Sequence, residues 1–264
     1  MGVRRLNGLF LKALPFQLRR ELLSLQRFIR NIPSRHFLAA NKANAEDFPF
    51  TLSTAASPLE RVKGAIEAKL QKGKEKNVSI AAGRINNTLV EPGEIFSYHA
   101  LVGRPSRLRG FKHGLELRND EESAGIGGGL CQVSNMLYVL AISSGMRIVE
   151  RHRHGLDLFP DHCRTVPFGC GATVCYNFQD LRFENPLTQP IMVSLEIIEA
   201  QLLGKIRIAS DPGFRVRIEE RGHRFFNENG YRLRENFIWR IISDSHGAIL
   251  REELMAHNKC RVVY

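Results

Sequence analysis

The run Gly125-Ile126-Gly127-Gly128-Gly129-Leu130-Cys131-Gln132-Val133-Ser134-Asn135 is where this sequence offers chemistry. Glycine loses more backbone entropy on folding than any other residue. Three in succession therefore fit a place where backbone approaches a ligand or takes positive φ. Val133, Met136, Leu137 and Leu140 recur at helical spacing, and Gly145 supplies a stop, so a helix is expected behind the glycines. Cys131 then stands at the helix start, with Ser134, Asn135 and Tyr138 on the face opposite the apolar one. Orphan N–H groups and the positive end of the helix dipole favour a thiolate there and offer donors to an oxyanion. A thiolate nucleophile needs a base. His152 and His154 follow about twenty residues on, spaced to share one face of a strand.

Other chemistries fit less well. A buried cysteine often only fills space, and glycines also permit close helix packing. The glycines lack the lysine and Ser/Thr of a phosphate loop, and GxGxxG is absent. His152, His154, His162, Cys163, Cys170 and Cys175 crowd within 24 residues, but their spacing is irregular. No metal and no cofactor is expected.

The elements around this run must position it. Leu22, Leu25 and Ile29 recur at helical spacing in a basic segment. Pro33, Pro49 and Pro58 make residues 31–58 read as a linker or irregular arm. Helices are expected at 60–70 and 80–89, separated by a charged, glycine-broken stretch at 72–76. Ile95–Tyr98 starts a short strand, and the basic, glycine-punctuated residues 103–114 read as a loop. Beyond the central helix the pattern turns to strands: 147–154, 173–176, 181–183, 191–198, 205–208, 214–218, 237–242 and 248–254. Asp244-Ser245-His246-Gly247 is a hairpin turn between the last two. Helices first and strands later predict an α+β fold with a mostly antiparallel sheet, not alternating βαβ units.

The chain has 264 residues, 43% hydrophobic and 25% charged, which excludes collagen-like and disordered classes. Its net charge of +11 predicts attraction to polyanions. Residues 1–47 carry nine Lys/Arg against three acids. The basic amphipathic helix within them fits either the surface of an anionic membrane or packing on the main domain. No aromatic-punctuated basic motif suggests specific nucleic-acid binding. Five cysteines, an odd number without CxxC, point to a reducing compartment. No apolar run reaches the roughly 18 residues of a membrane span, and no uninterrupted apolar run near the start fits a secretory signal. A cytoplasmic location, or a peripheral one on the inner membrane face, is the expectation.

Several segments together resemble the VanW family in order and spacing. They are Glu91-Pro92-Gly93-Glu94-Ile95-Phe96-Ser97, Gly127 through Asn135, Arg151-His152-Arg153-His154, Ala172-Thr173-Val174 and Asp180 through Asn185. The likeness is strongest over 78–200 and divides the chain into a basic helical arm and linker, 1–58, and a VanW-like domain, 59–264.

The resemblance implies cell-wall chemistry. Some family members act as peptidoglycan L,D-transpeptidases through the motif cysteine, and others are accessories of vancomycin-resistance clusters with no settled activity. Carried over, it makes Cys131 the nucleophile, His154 the preferred base and His152 its neighbour. Gly128, Gly129 and the Cys131 amide would frame an oxyanion, beside Gln132, Ser134 and Asn135 as substrate contacts. The partner would be a peptidoglycan precursor or stem peptide. Many members carry an aspartate where this chain has Gly171, and Asp180 or Glu150 are the carboxylates that stand in for it. The alternative is a non-catalytic accessory that binds a wall precursor or an anionic membrane through the basic arm and residues 104–112.

Overall fold

The computed structural model describes residues 37–59, 65–118, 121–153, 155–157 and 166–264, with isolated positions between 15 and 29. His154, His162 and Cys163 lie outside the described residues, as does most of the basic arm.

In chain order the described elements begin with β1 (Phe50–Pro58), α1 (Ala65–Ile85), β2 (Thr88–Val90), β3 (Ile95–Ser97) and α2 (Tyr98–Val102). They continue with β4 (His113–Arg118), β5 (Glu121–Ile126), α3 (Leu130–Ser143), β6 (Arg147–Glu150), β7 (Leu156–Asp157) and β8 (Arg182–Glu184). The last are β9 (Ile191–Ile198), β10 (Gln201–Ile208), β11 (Phe214–Glu228), β12 (Tyr231–Asp244) and β13 (Ile249–Val262). Among the described residues the strands form four sheets, ordered β1-β10-β9-β2, β11-β12-β13-β7, β3-β8-β6 and β4-β5. All the pairings within them are antiparallel except β7 with β13. The fold is α+β and mostly antiparallel, as the sequence pattern predicts.

The core lies between the first sheet and helices α1 and α3. Val78, Ala81 and Ile85 of α1 and Val133, Leu137 and Leu140 of α3 are each 0% exposed. Gly204 in β10 lets α3 sit close on the sheet, since a Cβ there would meet Leu140, Met136 and Leu195 within 3 Å. The end of α3 is closed as its sequence predicts. Gly145 takes φ 81° and Met146 N–H donates to Ala141 O at 3.0 Å. Buried Arg240 adds a cation at that negative end, donating to Met146 O at 2.7 Å.

Three local expectations are corrected. Residues 50–58 are strand β1, paired along β10, where prolines suggested a linker. Pro58 is the last residue of that strand, so its missing N–H interrupts no ladder. The stretch at 72–76 does not break a helix, because α1 runs through Gly73 to Ile85. The glycine serves packing: a Cβ on it would stand 1.8 Å from the His113 carbonyl oxygen. Strand β6 stops at Glu150, before either histidine.

Candidate functional site

Helix α3 starts from Gly129, which caps it in the left-handed region at φ 93°. Cys131, in the first turn, is half-buried. The glycines before it pack backbone on backbone. A Cβ on Gly128 would lie 2.1 Å from Gly114 O in β4, and one on Gly129 would lie 2.3 Å from the Lys74 side chain in α1. Asn77 of α1 locks the arrangement, its amide donating to Gly128 O at 2.9 Å and to Lys112 O at 3.0 Å. Gly128 N–H donates to Gly125 O at 3.0 Å. The glycine run therefore has a steric reason that needs no ligand, and it fixes where the Cys131 turn begins.

The segment 168–173 packs along the face of α3 that carries Cys131, leaving Cys131 half-buried. Ser134 Oγ donates to Ala172 O at 2.6 Å, and Asn135 Oδ1 accepts Ala172 N–H at 2.7 Å. Arg151 Nε donates to Gly171 O at 2.8 Å while its guanidinium lies 4.3 Å above the Tyr138 ring. A Cβ on Gly171 would stand 3.0 Å from Asn135 Oδ1. A side chain at that position would thus press on the amide that clamps Ala172. Ser134 and Asn135 hold the wall of the site. Gln132 reaches the other way, its amide donating to Ser57 Oγ and Pro58 O at 2.8 Å each.

His152 O accepts Thr173 N–H at 2.8 Å, so the histidine segment lies along the same wall. Its Nε2 is 2.9 Å from Glu150 Oε1. That oxygen also accepts Asp180 N–H at 2.9 Å. Asp180, 0% exposed, accepts from Ser97 Oγ at 2.6 Å, His99 N–H at 3.0 Å and Arg182 Nε at 2.8 Å. Of these two carboxylates, Glu150 contacts His152 and Asp180 binds the start of α2. The residues brought together are thus Glu150, His152, Asp180 and Ser97. Ala172 and Thr173 link Ser134 and Asn135 of α3 to His152, and Tyr98 faces both Cys131 and Asp180.

Tyr98 is a site residue that sequence reasoning missed. It opens α2 and is 1% exposed, and its hydroxyl has no hydrogen-bond partner among the described residues. Burial, and then the negative charges of a Cys131 thiolate and Asp180 facing it, push its pKa well above the usual tyrosine value. It stays protonated and able to donate. The only sequence sign was Ser97 before it, which caps α2 by accepting Ala100 N–H at 3.2 Å.

Among the described residues no three His, Cys, Asp or Glu side chains group as metal ligands. None of the described helices is long and apolar enough to cross a membrane.

A thiol set by a glycine turn at the head of a buried helix, walled by two clamped stretches of backbone, defines an α+β domain built around one cysteine. The description "VanW like protein" matches residues 73–207. The chain belongs to that family. It is 37% identical over 125 residues to the uncharacterized protein YoaR of Bacillus subtilis (strain 168), covering 46% of this chain and 39% of YoaR. It is 24% identical over 226 residues to the vancomycin B-type resistance protein VanW of Enterococcus faecalis (strain ATCC 700802 / V583), covering 85% of this chain and 82% of that protein. The chain thus spans about two fifths of YoaR's length and about four fifths of VanW's. No solved structure matches.

Proposed function

We propose that this protein is a cysteine-dependent acyltransferase or hydrolase acting on peptidoglycan stem peptides, as an L,D-transpeptidase does. The observation that carries the reading is the position of Cys131, half-buried in the first turn of α3. The helix N-terminus there favours the thiolate. The thiolate sulfur attacks the amide carbonyl carbon that follows an L-centre of the stem peptide. The C–N bond breaks, the leaving amine takes a proton from an imidazolium, and a thioester remains. An amine acceptor, or water, then attacks the thioester, gives its proton to the imidazole and releases the thiolate. The N–H groups of Gly129 and Cys131 are the donors for the oxyanion, since those of Gly128 and Leu130 donate to Gly125 O and Gly127 O. The resemblance favours His154 as the base. The Glu150 contact holds the imidazole of His152, the other histidine of the motif, in one orientation.

One observation favours the accessory reading, in which the domain binds a wall precursor without turning it over. Contacts with Gly114 and Lys74 account for the glycines without any ligand.

Site-resolved alkylation of the folded protein against pH separates the two. In the catalytic reading Cys131 reacts well below the ordinary thiol pKa of about 8.5, and His154→Ala removes that. Cys131→Ala then abolishes stem-peptide acyl transfer. A Cys131 that reacts like the other thiols, with wild-type wall phenotype in Cys131→Ala, leaves the accessory.

A further inference from the structure

Leu108 is fully exposed, at 101%, the most exposed large apolar side chain among the described residues. A lone exposed leucine is ordinary on a protein surface. Its setting here is not. It sits at the middle of a one-turn 3₁₀ segment, Arg107–Arg109, closed by Arg109 N–H and Phe111 N–H, both donating to Ser106 O at 3.1 Å. Gly110 ends the turn at φ 85°. Phe111, 0% exposed, anchors it in the core beneath Arg84, whose guanidinium lies 5.2 Å from the ring. The turn is thus a fixed structure that holds Leu108 outward.

Charge surrounds it. Arg104, Arg107, Arg109 and Lys112 are all exposed, and no acid occurs between Gly103 and Leu115. Arg104 pairs with Glu21 of the basic arm at 2.9 Å. That arm shows Leu25 and Ile29 at 56% and 43% exposure. On the other flank Pro105 packs on the glycine run, since a Cβ on Gly127 would lie 2.7 Å from Pro105 Cβ. An apolar tip ringed by cations matches a surface that is anionic outside and hydrocarbon within.

We propose that the Leu108 turn docks the protein on an anionic lipid bilayer, its leucine entering the acyl boundary and its arginines meeting headgroup phosphates. The docked face borders the Cys131 turn, so the site works at the membrane surface. The proposal stands apart from the chemistry assigned to Cys131.

The test is co-sedimentation of the full chain with vesicles of phosphatidylcholine alone and of an equal mixture with phosphatidylglycerol. The protein is expected to pellet with the mixed vesicles, to be released as salt rises, and to ignore phosphatidylcholine alone. Leu108→Ala weakens binding about tenfold, from the transfer energy of the lost apolar surface, and Leu108→Asp weakens it further. Leu108 touches no core, so both variants keep the wild-type melting temperature and Cys131 alkylation profile. Absence of binding to either vesicle overturns the proposal. So does binding that Leu108→Asp leaves unchanged, or a short DNA duplex bound as tightly as the vesicles.

Discussion

His152 Nε2 stands 2.9 Å from Glu150 Oε1, and Asp180 N–H donates to the same oxygen at 2.9 Å. One carboxylate oxygen therefore ties an imidazole to the residue that holds Ser97 and the start of α2. Glu150→Gln keeps the size and removes the charge. It is expected to lower stem-peptide turnover, by no more than the roughly 10²–10⁴-fold of a whole general acid–base contribution, and to alter the pH–rate profile. An unchanged profile with a lowered melting temperature makes the pair purely architectural.

Tyr98 presents the opposite case, a buried hydroxyl without a described partner. An unsatisfied buried polar group costs about 1–3 kcal/mol. Tyr98→Phe should then leave the melting temperature unchanged or raise it. If the hydroxyl donates to the Cys131 thiolate, the same variant raises the pH at which Cys131 alkylates. Calorimetry and alkylation read the two effects separately.

Two glycines in the same body should respond with opposite signs. Gly128→Ala puts a methyl group 2.1 Å from the Gly114 carbonyl, against backbone that cannot rotate away. A loss of about 3 kcal/mol or more is expected, at the upper end of overpacking. Gly83 lies inside α1, and a Cβ added to it would meet nothing within 4 Å. Gly83→Ala should stabilise by about 0.5–1 kcal/mol. Chemical denaturation measures both.

Acid should loosen the ribbon of β11, β12 and β13 first. Glu219 and Glu252 are lowered below the ordinary 4.5 of a glutamate by hydrogen bonds from Arg221, and Glu235 by His257 and Arg224. Asp211, bonded by Arg215, falls from 3.8 to about 2. Groups whose folded pKa is depressed stabilise above their unfolded pKa and lose that contribution as pH falls through the folded one. Melting temperature should therefore be flat above pH 4.5 from these groups and decline below it. Glu252→Gln should shallow the decline, and salt should shrink the part carried by Asp211, Glu219 and Glu252, whose pairs reach solvent.

The central helix was legible in the sequence because two local rules agreed there, an apolar spacing of 3.6 and a glycine stop. The hairpin turn at Asp244–Gly247 was legible for the same reason, and Asp244 N–H does donate to Ala248 O at 2.9 Å. The opposite turn of the ribbon went unread although Asn229-Gly230 is a strong hairpin signal, both residues at positive φ. Charged residues crowd its flanks and mask the strand alternation. Gly73 and Pro58 misled because their partners, His113 and β10, lie far along the chain. In the site, the place of Cys131 at the helix start follows from spacing, whereas the pairing of Glu150 with His152 does not, because β6 ends at Glu150, before His152. The burial of Tyr98 beside the thiol depends on β3 meeting β8, which no local pattern encodes.

The wall segment at 168–173 is gripped from its far side by the ribbon. Asn236 donates to Phe168 O at 2.8 Å, and Asn258, bonded to Asn236 at 2.8 Å, leaves no room for a Cβ on Gly169. This sets an order of events during synthesis. Asn258 leaves the ribosome 127 residues after Cys131, roughly six to twenty-five seconds later at ordinary elongation rates. Throughout that interval the nascent thiol has its helix but not its finished wall. The surroundings of Cys131 are therefore completed only once the ribbon has been made.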